Sequence, residues 1–135
     1  NDLIKELGRA GMTVVVSSHV LHEVERVTQD FVLIDHGRLL AEGNVTQIRG
    51  LIDNHPHKIE IVCPDARRLA RELIVLPDVL GLTVRDERTL AVETARPDAC
   101  YDAIPTIALN AGLVIRKMTS PDNNLDAVFR YLTRR

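Results

Sequence analysis

His19 ends a run of β-branched and small residues, Thr13-Val14-Val15-Val16-Ser17-Ser18, and its type and place make it the best candidate for chemistry in this chain. A neutral imidazole there accepts a hydrogen bond from water at one nitrogen. From the other it donates to an anionic oxygen such as a terminal phosphate. Ligands of open α/β sheets bind outside the carboxyl ends of strands, where His19 sits if the run before it is a strand. The structural alternative is a histidine that caps the following helix. His22, three residues on, lies on a neighbouring helical face, and His36 falls in a turn. His55-Pro56-His57 has no third ligand close by and reads as solvated linker, so no metal site is expected. Cys63 and Cys100 form no CxxC or Cys/His spacing and read as reduced thiols. Arg67, Arg68 and Arg71 with Asp65 and Glu72 make a charged helix face of the ordinary solvated kind. Asp65, Asp78, Asp86 and Asp98 occur at turns or helix starts, where capping explains them without acid–base catalysis.

For His19 to stand at a strand end, Met12 to Ser18 must be that strand. The run does not alternate, which is how a strand buried on both faces of a parallel sheet reads, and it predicts neighbouring strands and helix cover. Asp2, Leu3, Ile4 and Leu7 predict a short amphipathic helix before it, stopped at Gly8 and Gly11. After it, Val20, Leu21, Val24 and Val27 recur at helical spacing, with Glu23, Glu25 and Arg26 mostly on the other side, predicting a helix over 20–29. Phe31 to Ile34, the turn Asp35-His36-Gly37 and Arg38 to Gly43 predict a hairpin, followed by a helical turn or two over 46–52.

Asp53-Asn54-His55-Pro56-His57 is polar and turn-rich and is taken as a linker between residues 1–52 and 58–135. Beyond it, Ile59, Ile61 and Cys63 alternate; Ala66, Leu69, Ala70 and Leu73 recur at helical spacing; Leu80, Leu82 and Val84 alternate again. Leu90 and Val92 belong to a paired strand, Pro97-Asp98 opens a helix through Tyr101, Ile104 and Ala108, and Gly112 stops it before a strand over 113–118. This βαββαβ order is that of ferredoxin-like domains, whose antiparallel sheet carries both helices on one face. Ser120-Pro121-Asp122 is expected to cap a last helix with Leu125, Val128, Phe129 and Leu132 along one stripe.

With 17 basic against 19 acidic residues, a net charge of −2 and 3% aromatics, the chain offers neither a basic surface for phosphate backbones nor stacking platforms for bases. Nucleic acid is therefore not an expected partner. Apolar runs such as Ala111 through Ile115 fall far short of the roughly 20 residues of a bilayer-spanning helix, so direct membrane insertion is not expected either. Asn1 stands directly inside an apolar helical pattern, which predicts a chain cut from something longer, with processing or a tag as the alternative.

Three blocks, Gly11-Met12-Thr13-Val14-Val15-Val16-Ser17-Ser18-His19, Leu21-His22-Glu23-Val24-Glu25 and Asp35-His36-Gly37-Arg38-Leu39-Leu40-Ala41-Glu42-Gly43, closely resemble in order and spacing the C-terminal portion of the ATP-binding subunit of ABC transporters. The resemblance covers residues 1 to about 52. It implies that His19 matches the switch histidine, which contacts the γ-phosphate and helps arrange the attacking water, and that the hairpin has a structural role. The second half resembles, less specifically, the extra C-terminal domain of some exporter-type subunits, whose ending is similar to Asn124-Leu125-Asp126-Ala127-Val128-Phe129-Arg130-Tyr131-Leu132, with Asn124 where Ser or Thr is commoner. Asn caps a helix as well as Ser does.

What the resemblance implies is a remnant of a P-loop nucleotide-binding domain over 1–52 followed by a ferredoxin-like accessory domain over 58–135. The intact protein would be cytoplasmic and peripheral to the membrane, would use ATP and Mg²⁺, and would work with transmembrane permease subunits and a second ATP-binding subunit. This chain has no GxxxxGK[ST] to cradle phosphates and supply a Mg²⁺ ligand, so by itself it is not expected to hydrolyse ATP. From a different class, residues 57–135 read as a ligand-sensing or dimerisation module; a stand-alone enzyme lacks any matched nucleophile or acid–base pair.

Overall fold

A strand persists only where another pairs with it, and that decides which apolar runs of this chain become strands. The computed structural model describes residues 2–52 and 54–134. The chain begins with α1 (Asp2–Arg9), α2 (Leu21–Glu25), β1 (Phe31–Asp35), β2 (Arg38–Gly43) and α3 (Val45–Gly50). It continues with β3 (His57–Val62), α4 (Ala66–Leu73), β4 (Val79–Val84), β5 (Thr89–Thr94), α5 (Pro97–Asn110) and β6 (Lys117–Thr119), and ends in α6 (Leu125–Thr133). The result is a small α/β protein with two antiparallel sheets, β1-β2 and β4-β5-β3-β6.

Its described residues fall into two compact units, one reaching to Ile52 and resuming at Asn123, the other running from Asn54 to Asp122. In the first, β1 and β2 turn at His36 and Gly37, both with positive φ (47° and 74°), as a right-twisted two-residue hairpin demands. The expectation gave that conformation to glycine; His36 adopts it too, with Asp35 Oδ2 3.0 Å from its Nδ1. A capping box starts α3: Asn44 Oδ1 accepts the Gln47 N–H at 2.9 Å and Gln47 Oε1 accepts the Asn44 N–H at 3.3 Å. Phe31, Leu33, Ile48 and Ile52 form one core with Leu125 and Val128 of α6.

Met12 to Ser18 is not a strand: among the described residues nothing pairs with it, and Val15 is 91% exposed. The helix expected over 20–29 stops at Glu25, because Thr28 Oγ1 accepts the Asp30 N–H at 3.2 Å and offers the backbone a competing turn. The terminal helix, expected to complete the second half, packs in the first unit, where its stripe meets Phe31, Leu33 and Ile48. Its cap is Asn124, whose Oδ1 accepts the Ala127 N–H at 2.9 Å, whereas Asp122 Oδ1 accepts the Lys58 N–H at 3.2 Å in the second unit.

In the second unit, Ile59 and Ile61 of β3 and Leu90 and Val92 of β5 bury one sheet face against Ala66, Leu69 and Leu73 of α4 and Cys100, Ile104 and Ala108 of α5. Asp65 Oδ1 caps α4 by accepting the Arg68 N–H at 3.0 Å, Pro97 opens α5, and Gly112 at φ 73° ends it. An irregularity between Val79 and Gly81 shifts the register of β4, so Val79, Leu82 and Val84 pack on the core while Leu80 turns outward. Of the strand expected over 113–118, only Lys117 and Met118 fall in β6, which runs on to Thr119, since Leu113 donates its N–H to the Ala108 carbonyl at 2.8 Å to close α5. No helix among the described residues is long and apolar enough to cross a membrane.

Candidate functional site

His19 is exposed and sits in a bend between the valine run and α2. The turn that carries it is held locally by Ser18, whose Oγ accepts the Val20 N–H at 3.0 Å. One side of His19 borders an open groove of about 1100 Å³, with Val14, Val16, Val24, Phe31, Leu33 and Phe129 among its apolar walls. Its other side borders a depression of about 600 Å³ shared with His22, Glu25, Asn124 and Asp126. An imidazole so placed has a free approach for an anionic oxygen or a water.

Helical spacing alone puts Glu25 on the polar side of the helix. It is half-buried instead, and its Oε1 accepts the N–H of Leu125, the first residue of α6, at 2.9 Å. At the other end of α6, the guanidinium of the buried Arg49 lies 4.9 Å from the centroid of the Tyr131 ring. Nothing local in the sequence announces either contact, because both join residues far apart in the chain.

The remaining candidates stay apart from His19. His36 lies in its exposed turn, where the hydrogen bond and charge of Asp35 push its pKa up. His55 hydrogen-bonds to its neighbour, Nδ1 to Asn54 Oδ1 at 3.0 Å, and among the described residues no three His, Cys, Asp or Glu converge to hold a metal ion. Cys63 and Cys100 are both buried in the core of the second unit; burial pushes the Cys63 thiol up, and the Cys100 thiol donates to Thr94 Oγ1 at 3.3 Å. Asp86 accepts the Arg88 N–H at 2.8 Å, which holds its carboxyl below the usual range. On the sheet face away from the helices, Lys58, Glu60 and Glu93 alternate with the buried core residues, and Arg85 Nη1 lies 3.7 Å from Glu60 Oε2. Those side chains give that face its charge.

Against curated proteins, the chain is 26% identical over 134 residues to the daunorubicin/doxorubicin resistance ATP-binding protein DrrA of Streptomyces peucetius, covering 98% of this chain and 40% of the relative. It is 30% identical over 122 residues to the uncharacterized ABC transporter ATP-binding protein YcbN of Bacillus subtilis, covering 88% of this chain and 37% of that protein. The chain matches the C-terminal portion of an ABC transporter ATP-binding subunit. A daunorubicin resistance ATP-binding protein of Streptomyces coeruleorubidus is 27% identical over 134 residues, 98% of this chain and 41% of the relative. The chain thus spans about two fifths of the length of these ABC transporter relatives, and the match runs through both compact units. No family model matches the chain, and no solved structure does so significantly.

An ATP-binding subunit of this kind implies ATP and Mg²⁺. The groove walls beside His19 are largely valine and other apolar side chains, and among the described residues no loop of glycine amides and no metal-holding group of carboxylates lines it, so this groove by itself does not fit Mg²⁺–ATP.

Proposed function

We propose that this chain is the C-terminal part of the ATP-binding subunit of an ABC exporter of drug-like small molecules. The observation that carries the reading is a match over 98% of the chain to proteins named for resistance to daunorubicin. In this reading residues 1–52 are the end of a P-loop nucleotide-binding domain. The βαββαβ segment after the 53–57 linker is a ferredoxin-like accessory domain; the strand order β4-β5-β3-β6 with α4 and α5 on one core supports that assignment. The accessory region extends in sequence to residue 135, with α6 returning to the first unit.

His19 is the one catalytic and nucleotide-contacting residue proposed here, at the γ-phosphate. Its exposed position at the head of α2 suits a ring that donates to an anionic oxygen from one nitrogen and orients a water with the other. The intact subunit, on the cytoplasmic side of the membrane and peripheral to it, couples ATP binding and hydrolysis to export through transmembrane permease subunits and a second ATP-binding subunit. The 135-residue chain alone is not catalytic and binds neither ATP nor Mg²⁺ tightly. Reading the coding region upstream of Asn1 tests this: an in-frame phosphate loop, signature segment and Walker B strand are expected, and a start codon with none of them would overturn the ATPase reading.

A further inference from the structure

We infer that α6 is a strap that holds His19 in place, and that Glu25 is the positioning residue that fastens it. The inference rests on the reading of His19 as the residue that contacts the γ-phosphate.

Only Val20 separates His19 from α2, so the direction of the imidazole follows the direction of α2. At five residues and without a side-chain cap, α2 is far below the length at which a helix is stable alone, and tertiary packing must set its orientation. That packing comes chiefly from α6: Leu21 and Val24 lie against the core that includes Leu125 and Val128. Apolar contact alone leaves a short helix free to roll, whereas a directional bond does not. Glu25, in the last turn of α2, provides one by accepting the Leu125 N–H at 2.9 Å, a group that would otherwise be an unbonded donor of the first turn of α6. A carboxylate is the right acceptor there, because the N-terminal end of a helix favours negative charge. Asn124 takes the Ala127 N–H, so these two side chains accept two of the first-turn donors of α6. Tyr131 beneath Arg49 anchors the far end of α6 to α3. The helix is thereby held at both ends, and the depression beside His19 has Glu25, Asn124 and Asp126 on its rim.

The test separates length from charge at position 25 in the full-length subunit assembled with its permease. Glu25→Gln keeps an acceptor at the same reach and should retain kcat within about twofold, while Glu25→Asp keeps the charge but is one methylene too short and should lower kcat about fivefold or more. In both variants the KM for ATP should stay within about twofold, since a displaced His19 affects turnover rather than nucleotide capture. In the 135-residue chain, hydrogen exchange of the Leu125 amide should accelerate in Glu25→Asp and not in Glu25→Gln. Wild-type turnover in Glu25→Asp, or equal losses in both variants, overturns the strap. So does a Glu25→Asp chain without a folded spectrum, which would make the role structural. His19→Ala in the same preparation distinguishes the two levels: normal turnover there refutes the nucleotide reading, whereas loss there with an active Glu25→Asp refutes only the strap.

Discussion

Leu69→Ala gives the sharpest test of how the second unit is held together. Leu69 is fully buried on α4, in one core with Ile59, Ile61, Leu90 and Ile104. Removing three carbons there loses their transfer energy and opens a cavity. The remainder depends on whether the surroundings collapse, and Leu→Ala changes in cores span about 2–5 kcal/mol for that reason. Here α4 is packed at once on β4, β5 and α5, so it has little room to shift toward the gap, and the low end of the range does not apply: the loss should be about 3–4 kcal/mol. For a unit of this size that corresponds to a fall in Tm of roughly 15–25 °C. The assay is urea denaturation followed through the amide signals of β3 and β5, with Leu109→Ala as control, because Leu109 on α5 is 76% exposed. The control should remain within about 0.5 kcal/mol of the unsubstituted chain. A loss below about 1 kcal/mol for Leu69→Ala, or equal losses for both, would refute the packing described for this unit.

Residues 12–16 and the outer face of β1 present Met12, Val15, Val32 and Ile34 to solvent, so the 135-residue chain should self-associate as its concentration rises. Val15→Glu should shift sedimentation velocity profiles toward monomer, and a clean monomer at high concentration without the substitution would contradict this. Cys63 and Cys100 should resist alkylation by iodoacetamide at neutral pH and react at least about 100-fold faster in denaturant, since both are buried and burial keeps the Cys63 thiol protonated. Rapid labelling of the folded chain would show that the core opens.

The residue pattern was a good guide where structure is local. The hairpin over 31–43, the α4 and α5 faces and the glycine at position 112 follow from alternation, helical spacing and positive φ, and each is present. It was a poor guide where a partner decides the outcome. Thr13 to Ser18 has the composition of a buried strand, yet no strand pairs with it among the described residues, and composition cannot supply a ladder. Leu80 alternates correctly with Leu82 and Val84 in sequence, but the register shift before Gly81 sends it outward. At the site, placement after an apolar run suits a capping histidine equally well, and His19 was singled out by the resemblance of the blocks around it to ABC ATP-binding subunits. Glu25 was not, because its partner is the Leu125 amide at the opposite end of the chain.

The central claim concerns His19, and the most direct measurement is the ATP turnover of His19→Ala in the full-length subunit assembled with its permease, with ATP affinity measured in parallel. Loss of a group acting at the γ-phosphate should lower kcat by about 100-fold or more while leaving the Kd for ATP within about threefold. Turnover within about twofold of the unsubstituted protein would contradict the account, because an interaction worth so little in the transition state is no catalytic contact.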